Sequence, residues 1–287
     1  MENWRSIISE VAKEKVRGAS WCARRIAEAF IALSNSVEYN EDVLCEAIDL
    51  ALKANPSMAS IYNVVTIARK ARNREHLMKL MKALLKYMRT AHEKVCSIAA
   101  ESIMGNLMTI SYSSIIECVL HKAKDQVDTV YVLESRPGGE GVLFAKALKD
   151  KGFNVKLVFD STLHYYMSKT DIVIVGADSV GKDACIINKV GTSLLALYAR
   201  EYGIEFYPVF ESYKIHPEKS CYEIELVERE FEIEGYGKIR SVVFDRTPSR
   251  YISGLITEHG LIMPSRLGVK QAYEKFMEEL KSLVRLD

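Results

Sequence analysis

Up to about residue 105, apolar side chains recur at intervals of three and four. The stretch "EDVLCEAIDLALKAN" places Val43, Leu44, Ala47, Ile48 and Ala51 on one face of a helix, and "HLMKLMKALLKYM" repeats the pattern. The opening "MENWRSIISEVAKEKVRG" reads as an amphipathic helix. Breakers agree with this reading, since only Gly18, Gly105 and Pro56 precede Pro137. Residues 1–105 are therefore expected to form a helical domain. From Leu107 the period changes. The short β-rich runs "TVYVLES", "NVKLVFDS", "DIVIVGAD", "EFYPVFES" and "SVVFDR" alternate with the helical stretches "GVLFAKALKDKG", "STLHYYMSK" and "NKVGTSLLALYAREYG". Near-continuous apolar strands separated by helices predict an α/β domain over 106–287, a doubly wound, mainly parallel sheet covered on both faces. A last amphipathic helix, about 270–284, is expected to pack back or to mediate association.

Each of the five predicted strands ends in or just before an acid: Glu134, Asp160, Asp178, Glu211 and Asp245. Ligands of open parallel sheets bind at the carboxyl ends of strands, so this rim is the expected site. Asp160, ahead of "STLHYY", reads as a helix cap. At the third run, "GADSVGK" has the glycine and lysine spacing of a nucleotide-hydrolase phosphate loop. Asp183 stands where that loop needs a hydroxyl, and Asp178 puts a second carboxylate beside the anion, so nucleotide hydrolysis is rejected.

Composition narrows the class. Of 287 residues 48% are hydrophobic, enough for a substantial core, and 39 Lys and Arg nearly balance 38 Asp and Glu. That balance argues against a dedicated nucleic-acid or membrane surface, with "RKARNRE" (69–75) read as a solvated helix junction. No apolar run approaches the ~18 residues of a membrane span. Cysteines 22, 45, 96, 118, 185 and 221 lack metal-type spacing. They are expected to be small core residues in a cytoplasmic chain without disulfides, metal or cofactor.

The block "IVIVGADSVGKDACIINKVGTSLLALYA", with V-G-A-D at 175–178 and N-K-V-G-T at 188–192, resembles the alpha, beta and delta subunits of translation initiation factor 2B. The same superfamily contains ribose-1,5-bisphosphate and methylthioribose-1-phosphate isomerases. "VRGAS" (16–20), "ESRP" (134–137), "DSTLHYYM" (160–167), "ESYK" (211–214) and "FDRTPSRYISGLITEHG" (244–260) resemble further family blocks, and the length suits compact archaeal members. The resemblance implies a Rossmann-like second domain, a homodimer or higher oligomer, and initiation factor 2 as a partner.

It also implies a site. In the isomerases an aspartate and a cysteine move protons between C1 and C2 of a sugar 1-phosphate. Asp178 matches the aspartate, but "LMTISYSS" (107–114) places Ser111 at the cysteine position. A hydroxyl is far less acidic than a thiol and cannot readily make the same transfer. Cys118, seven residues on in the predicted helix "SYSSIIECVLHKAKD", falls on the face of Ser111 but about 10 Å away, and Cys185 lies nearer the Asp178 loop. The phosphate-binding set is Arg17, Gly18 and Ala19 of the R-G-A block, Ser113 with Ser114 at a helix start, Arg136, Asn188 and Lys189 opening another helix, and Lys214. Trp21 adds bulk beside the R-G-A block. The expected function is a regulatory or binding protein like the factor 2B subunits, with a pocket for a phosphorylated sugar or nucleotide. The alternative is an aldose–ketose isomerase using Asp178 with Ser111. The acidic, apolar "CYEIELVEREFEIEG" (221–235) reads either as a family-specific loop or as an interface strand.

Overall fold

Among the described residues five helices come first: α1 (Trp4–Lys13), α2 (Ala19–Ser34), α3 (Glu41–Ala54), α4 (Ala59–Ala68) and α5 (Arg74–Ala100). The computed structural model describes residues 3–14 and 17–286, so Met1, Glu2, Lys15 and Val16 of the first two predicted blocks lie outside the described residues. Asparagine caps three of these helices: Asn3, Asn40 and Asn73 accept from the N–H groups of Arg5, Val43 and His76. Each cap satisfies an amide that the helix itself leaves without a partner.

The remainder contains β1 (Gly105–Ile110), α6 (Ser114–Lys122), β2 (Val127–Leu133), α7 (Glu140–Asp150), β3 (Val155–Val158), α8 (Leu163–Met167) and β4 (Ile172–Gly176). Then come β5 (Ser179–Val180), β6 (Ile186–Lys189), α9 (Thr192–Glu201), β7 (Glu205–Val209), β8 (Glu228–Ile233), β9 (Gly237–Val242), β10 (Phe244–Thr247), β11 (Leu255–Thr257), β12 (Gly260–Ile262) and α10 (Arg266–Leu286). A seven-stranded sheet runs β12-β11-β7-β4-β1-β2-β3, parallel throughout except for the edge strand β12. The winding reverses between β1 and β4, and this switch point is where a ligand crevice forms in such sheets.

The apolar runs are continuous because both faces are buried. Ile172 and Ile174 point into one cluster with Leu107, Val130, Val119 and Phe144, while Val173 and Val175 point into the other with Met108, Leu133, Leu195 and Phe206. The opening helices have a third core, which takes in Ile187, Tyr213, Ile224, Phe244, Phe276 and Leu280 from the second part of the chain. Asn63 of α4 donates to the carbonyls of Tyr213 and Ile215, and Tyr87 of α5 packs on Phe276 of α10 with ring centroids 4.9 Å apart. The last helix therefore packs back onto α5.

Two expectations change. "SVVFDR" is not a strand of the main sheet. Its first half ends β9, which forms a ribbon with β8, and its second half is β10, which pairs antiparallel with β6. A run of apolar residues looks the same in a parallel sheet and in two short antiparallel pairings, so the pattern could not separate them. Asp245 accordingly leaves the rim, and "CYEIELVEREFEIEG" contains a strand of the ribbon. The cysteines also differ from expectation, since Cys96 is bonded to Cys118 and Cys185 to Cys221, each pair with Cα atoms 5.8 Å apart. The pairs come together only when α5 packs on α6 and the loop after β5 meets the segment at 221, which no sequence spacing reveals.

Among the described residues no helix is long and apolar enough to cross a membrane.

Gly141, in the first turn of α7, lies against β2. A methyl group there would collide with the carbonyl oxygen of Leu133 and come within 2.6 Å of Ser135 Oγ. A backbone carbonyl in a sheet cannot swing aside, so Gly141→Ala is expected to cost about 1–3 kcal/mol, read as a lower urea midpoint.

Candidate functional site at the switch point

A cavity of about 890 Å³ opens at the carboxyl ends of β1 and β4. The turn after β1 brings Ser111 and Ser113, and the turn after β4 brings Asp178. The end of β6 supplies Asn188 and Lys189, a short turn after β7 supplies Lys214, and the start of α2 supplies Arg17, Gly18 and Ala19. Nine of the ten predicted site residues thus line one space. Arg136 does not. Its side chain is 69% exposed and its Nε lies 3.2 Å from Glu134.

Three helices begin at this cavity: α2 at Gly18, α6 at Ser113 and α7 at Gly139. The first-turn amides of a helix have no intrahelical partner and carry partial positive charge, so they suit an anion. Gly176 permits the arrangement at α6, because a Cβ at the end of β4 would sit 2.7 Å from the Ser113 hydroxyl. The cap of α2 comes from far along the chain, with Ala19 N–H donating to Asp178 Oδ1 at 3.1 Å. A side chain at Gly18 would point toward the same oxygen, at 3.7 Å.

Asp178 faces the cavity. Burial pushes its carboxyl above the usual carboxylate range, and nearby Glu140 adds to the rise, against the opposing pull of Lys214 and the Ala19 amide. Folding is therefore penalised where this group is ionised. Replacing it by Asn should raise stability at pH 7, by the order of 0.5–2 kcal/mol that stabilising substitutions commonly return, with the Ala19 bond kept. Calorimetric melting of Asp178→Asn checks this, and a lowered melting temperature would make the aspartate structural.

Behind it lies a fully buried carboxylate, Glu211. It accepts from His92 Nδ1 at 3.0 Å and pairs with Lys214 Nζ at 2.9 Å, the lysine side chain being 6% exposed. Burial alone would raise the pKa of Glu211, but Lys214 and the hydrogen bond and charge of His92 outweigh it and hold the value at about 2. On the opposite wall Lys189, 5% exposed, lies 3.0 Å from Glu140 Oε1. The Ser111 hydroxyl donates to the same oxygen at 3.2 Å, and the Ser111 amide donates to Ser135 Oγ at 2.8 Å. Ser111 has φ of 70°, a left-handed conformation that costs about 1–3 kcal/mol outside glycine and clusters at functional sites.

Several local readings are corrected. Asn188 and Lys189 end strand β6 rather than opening a helix, because α9 starts at Thr192, capped by Asp245 through the amides of Gly191 and Ser193. Asp160 caps no helix of its own but accepts from the amides of Ser135 and Arg136, holding the loop after β2. Ser111 precedes α6 in its turn, so Cys118 shares no helix face with it, and Cys185 is tied to Cys221 outside the cavity lining. Sequence reading missed Arg24, Glu140, Arg229 and Phe231. The last two arrive on the β8–β9 ribbon, whose position depends on tertiary packing. Glu140 carried a readable signal, lying six residues after Glu134 at the start of a predicted helix.

Residues 15–264 match the family described as the Initiation factor 2 subunit family. The chain is 39% identical over 266 residues to a translation initiation factor eIF-2B subunit 2-like protein of Pyrococcus furiosus, covering 91% of this chain and 96% of that one. It is 33% identical to the ribose 1,5-bisphosphate isomerase of Methanocaldococcus jannaschii, over 89% of this chain and 90% of the relative. Among solved structures, the translation initiation factor eIF-2B of Pyrococcus horikoshii OT3 superposes with a TM-score of 0.87 at 35% identity, over 92% and 98% of the two chains. The tetrameric eIF2B-beta2-delta2 complex of C. thermophilum shares the fold, with a TM-score of 0.75 at 20% identity over 95% and 94%.

Proposed function

The chain belongs to the Initiation factor 2 subunit family, and from that membership we propose that its cavity holds a phosphorylated sugar or nucleotide as a regulatory ligand. The observation that carries this reading is the pairing of an anion-suited cavity with Ser111. Helix starts and buried lysines converge on the space, yet the residue beside Asp178's strand is a hydroxyl bound to a carboxylate, not a thiol. Such a site is equipped to bind phosphate and poorly equipped to shuttle protons. The ligand signal would pass through assembly, as a homodimer or higher oligomer, or through initiation factor 2, in the cytoplasm. A solved relative of this fold is a tetramer, which supports an oligomeric role.

Thermal-shift titration with ribose 5-phosphate and adenosine monophosphate tests the pocket. A ligand at a hundred times its Kd should stabilise the protein by about 2.7 kcal/mol. Arg17→Ala should weaken the effect, and an absence of any shift with either ligand would sink the reading.

A second reading, sugar-phosphate isomerase, is favoured by one observation: Asp178 faces the cavity with its pKa raised by burial, the direction an acid or base needs. Incubation with ribose 1,5-bisphosphate and with methylthioribose 1-phosphate, followed for ketose formation, decides between the two. Turnover lost in Asp178→Asn would replace the regulatory reading, whereas turnover gained only in Ser111→Cys would support it.

A further inference from the structure

The cavity already contains an anion of its own. Glu140 is the first residue of α7, and its helix cap, Gly139, offers no side chain. An uncapped helix start favours a negative charge, and in phosphate sites the ligand supplies it. Here the Glu140 carboxylate stands at that helix start and is fastened there. Its two oxygens lie 3.0 and 3.2 Å from Lys189 Nζ, and the Ser111 hydroxyl donates to the first of them. The loop presses in behind, since a Cβ on Gly138 would run into the Glu140 carboxylate and come 3.1 Å from Lys189 Nζ. The Lys189 ammonium, nearly sealed from solvent, is thereby committed to an internal partner.

Charge around the cavity points the same way. Arg17, Arg24, Lys189, Lys214 and Arg229 face Glu140, Asp178, Glu230 and Glu232, so the lining is close to neutral. One phosphate dianion can be matched by the helix starts and by Arg17 and Arg24 on the α2 side. A second phosphate would have to approach Glu140, where like charges at close range are costly in a partly desolvated site. A sugar hydroxyl at the same place has the opposite prospect, because it can donate to Glu140 as the Ser111 hydroxyl does.

We infer that Glu140 is a specificity residue that makes the cavity take a sugar bearing a single phosphate, with hydroxyls presented to Glu140, and reject a bisphosphate. This rests on the proposed pocket and sets the chain apart from its relative named for ribose 1,5-bisphosphate. Removing the charge leaves the Lys189 ammonium free to meet a second phosphate.

The test is calorimetric titration of the full chain with ribose 5-phosphate and with ribose 1,5-bisphosphate at one ionic strength. The native protein should bind the monophosphate at least tenfold more tightly, and Glu140→Gln should reverse the preference by tenfold or more. The double variant Glu140→Gln with Lys189→Met, which restores neutrality at the wall and guards against poor folding of the single variant, should lose the gained bisphosphate affinity. A native preference for the bisphosphate, or a preference unmoved by Glu140→Gln, overturns the inference and leaves the pocket standing. Binding of neither ligand to the native protein overturns the inference, and it overturns the pocket reading as well when adenosine monophosphate also gives no thermal shift.

Discussion

Lys214→Ala is expected to lower stability by about 3–5 kcal/mol, the range for removing one partner of a buried ion pair. The reason lies in Glu211, whose side chain is 0% exposed and whose second oxygen pairs with the lysine ammonium at 2.9 Å. With Lys214 gone, His92 and the distant Ser20 hydroxyl, 3.4 Å or more away, must stabilise a carboxylate cut off from water. In a chain of this size such a loss corresponds to a melting temperature lower by roughly 10 °C. Replacing both members, Glu211→Leu with Lys214→Leu, should recover most of it, because two apolar groups leave no charge uncompensated. Chemical denaturation of the three proteins reads the result. A loss below 1 kcal/mol in the single variant would mean that Glu211 reaches water or another cation.

Acid should weaken the same feature. Glu211 has a folded pKa of about 2 against an ordinary value of 4.5. A carboxyl with a depressed folded pKa contributes stability that is complete above its unfolded value and is lost as pH falls through the folded one. The window therefore runs from about pH 4.5 down to about pH 2, with a loss of the order of 3 kcal/mol from this group at 1.36 kcal/mol per pKa unit. Other carboxylates titrate in the same range, so the comparison is with Glu211→Gln. The native protein should lose about 3 kcal/mol more than the variant between pH 5 and pH 2 in urea unfolding. Parallel curves would show that Glu211 is not held by its cation in the folded state.

These effects belong to residues that were only partly legible. Glu211 stood out as an acid at a strand end and Lys214 as a cation three residues on, but neither position showed that both would be buried together. Nor could His92, 119 positions away, be seen as the third member. The pairing of Glu140 with Lys189 and Ser111 was equally hidden, because it joins the starts of two turns and the end of a strand that the apolar pattern had assigned to a helix. Asp178 was singled out by sequence, while its bond to the Ala19 amide, across 159 positions, was not.

The sequence by itself determined the helical opening, the alternation of helices with the central parallel strands, and the class of fold. Helical periodicity and scarce breakers specify the opening helices, and doubly buried strands must be apolar at every position, which announces the parallel sheet. These are local consequences of burial and backbone geometry, repeated often enough along the chain to be read. It also determined the end of the sheet at which to look for a site. Tertiary structure alone decided which charges neutralise one another, which cysteines meet, and that the β8–β9 ribbon forms a wall of the cavity. Those outcomes depend on distances between residues tens to hundreds of positions apart, and on the burial that makes each charge costly without its partner.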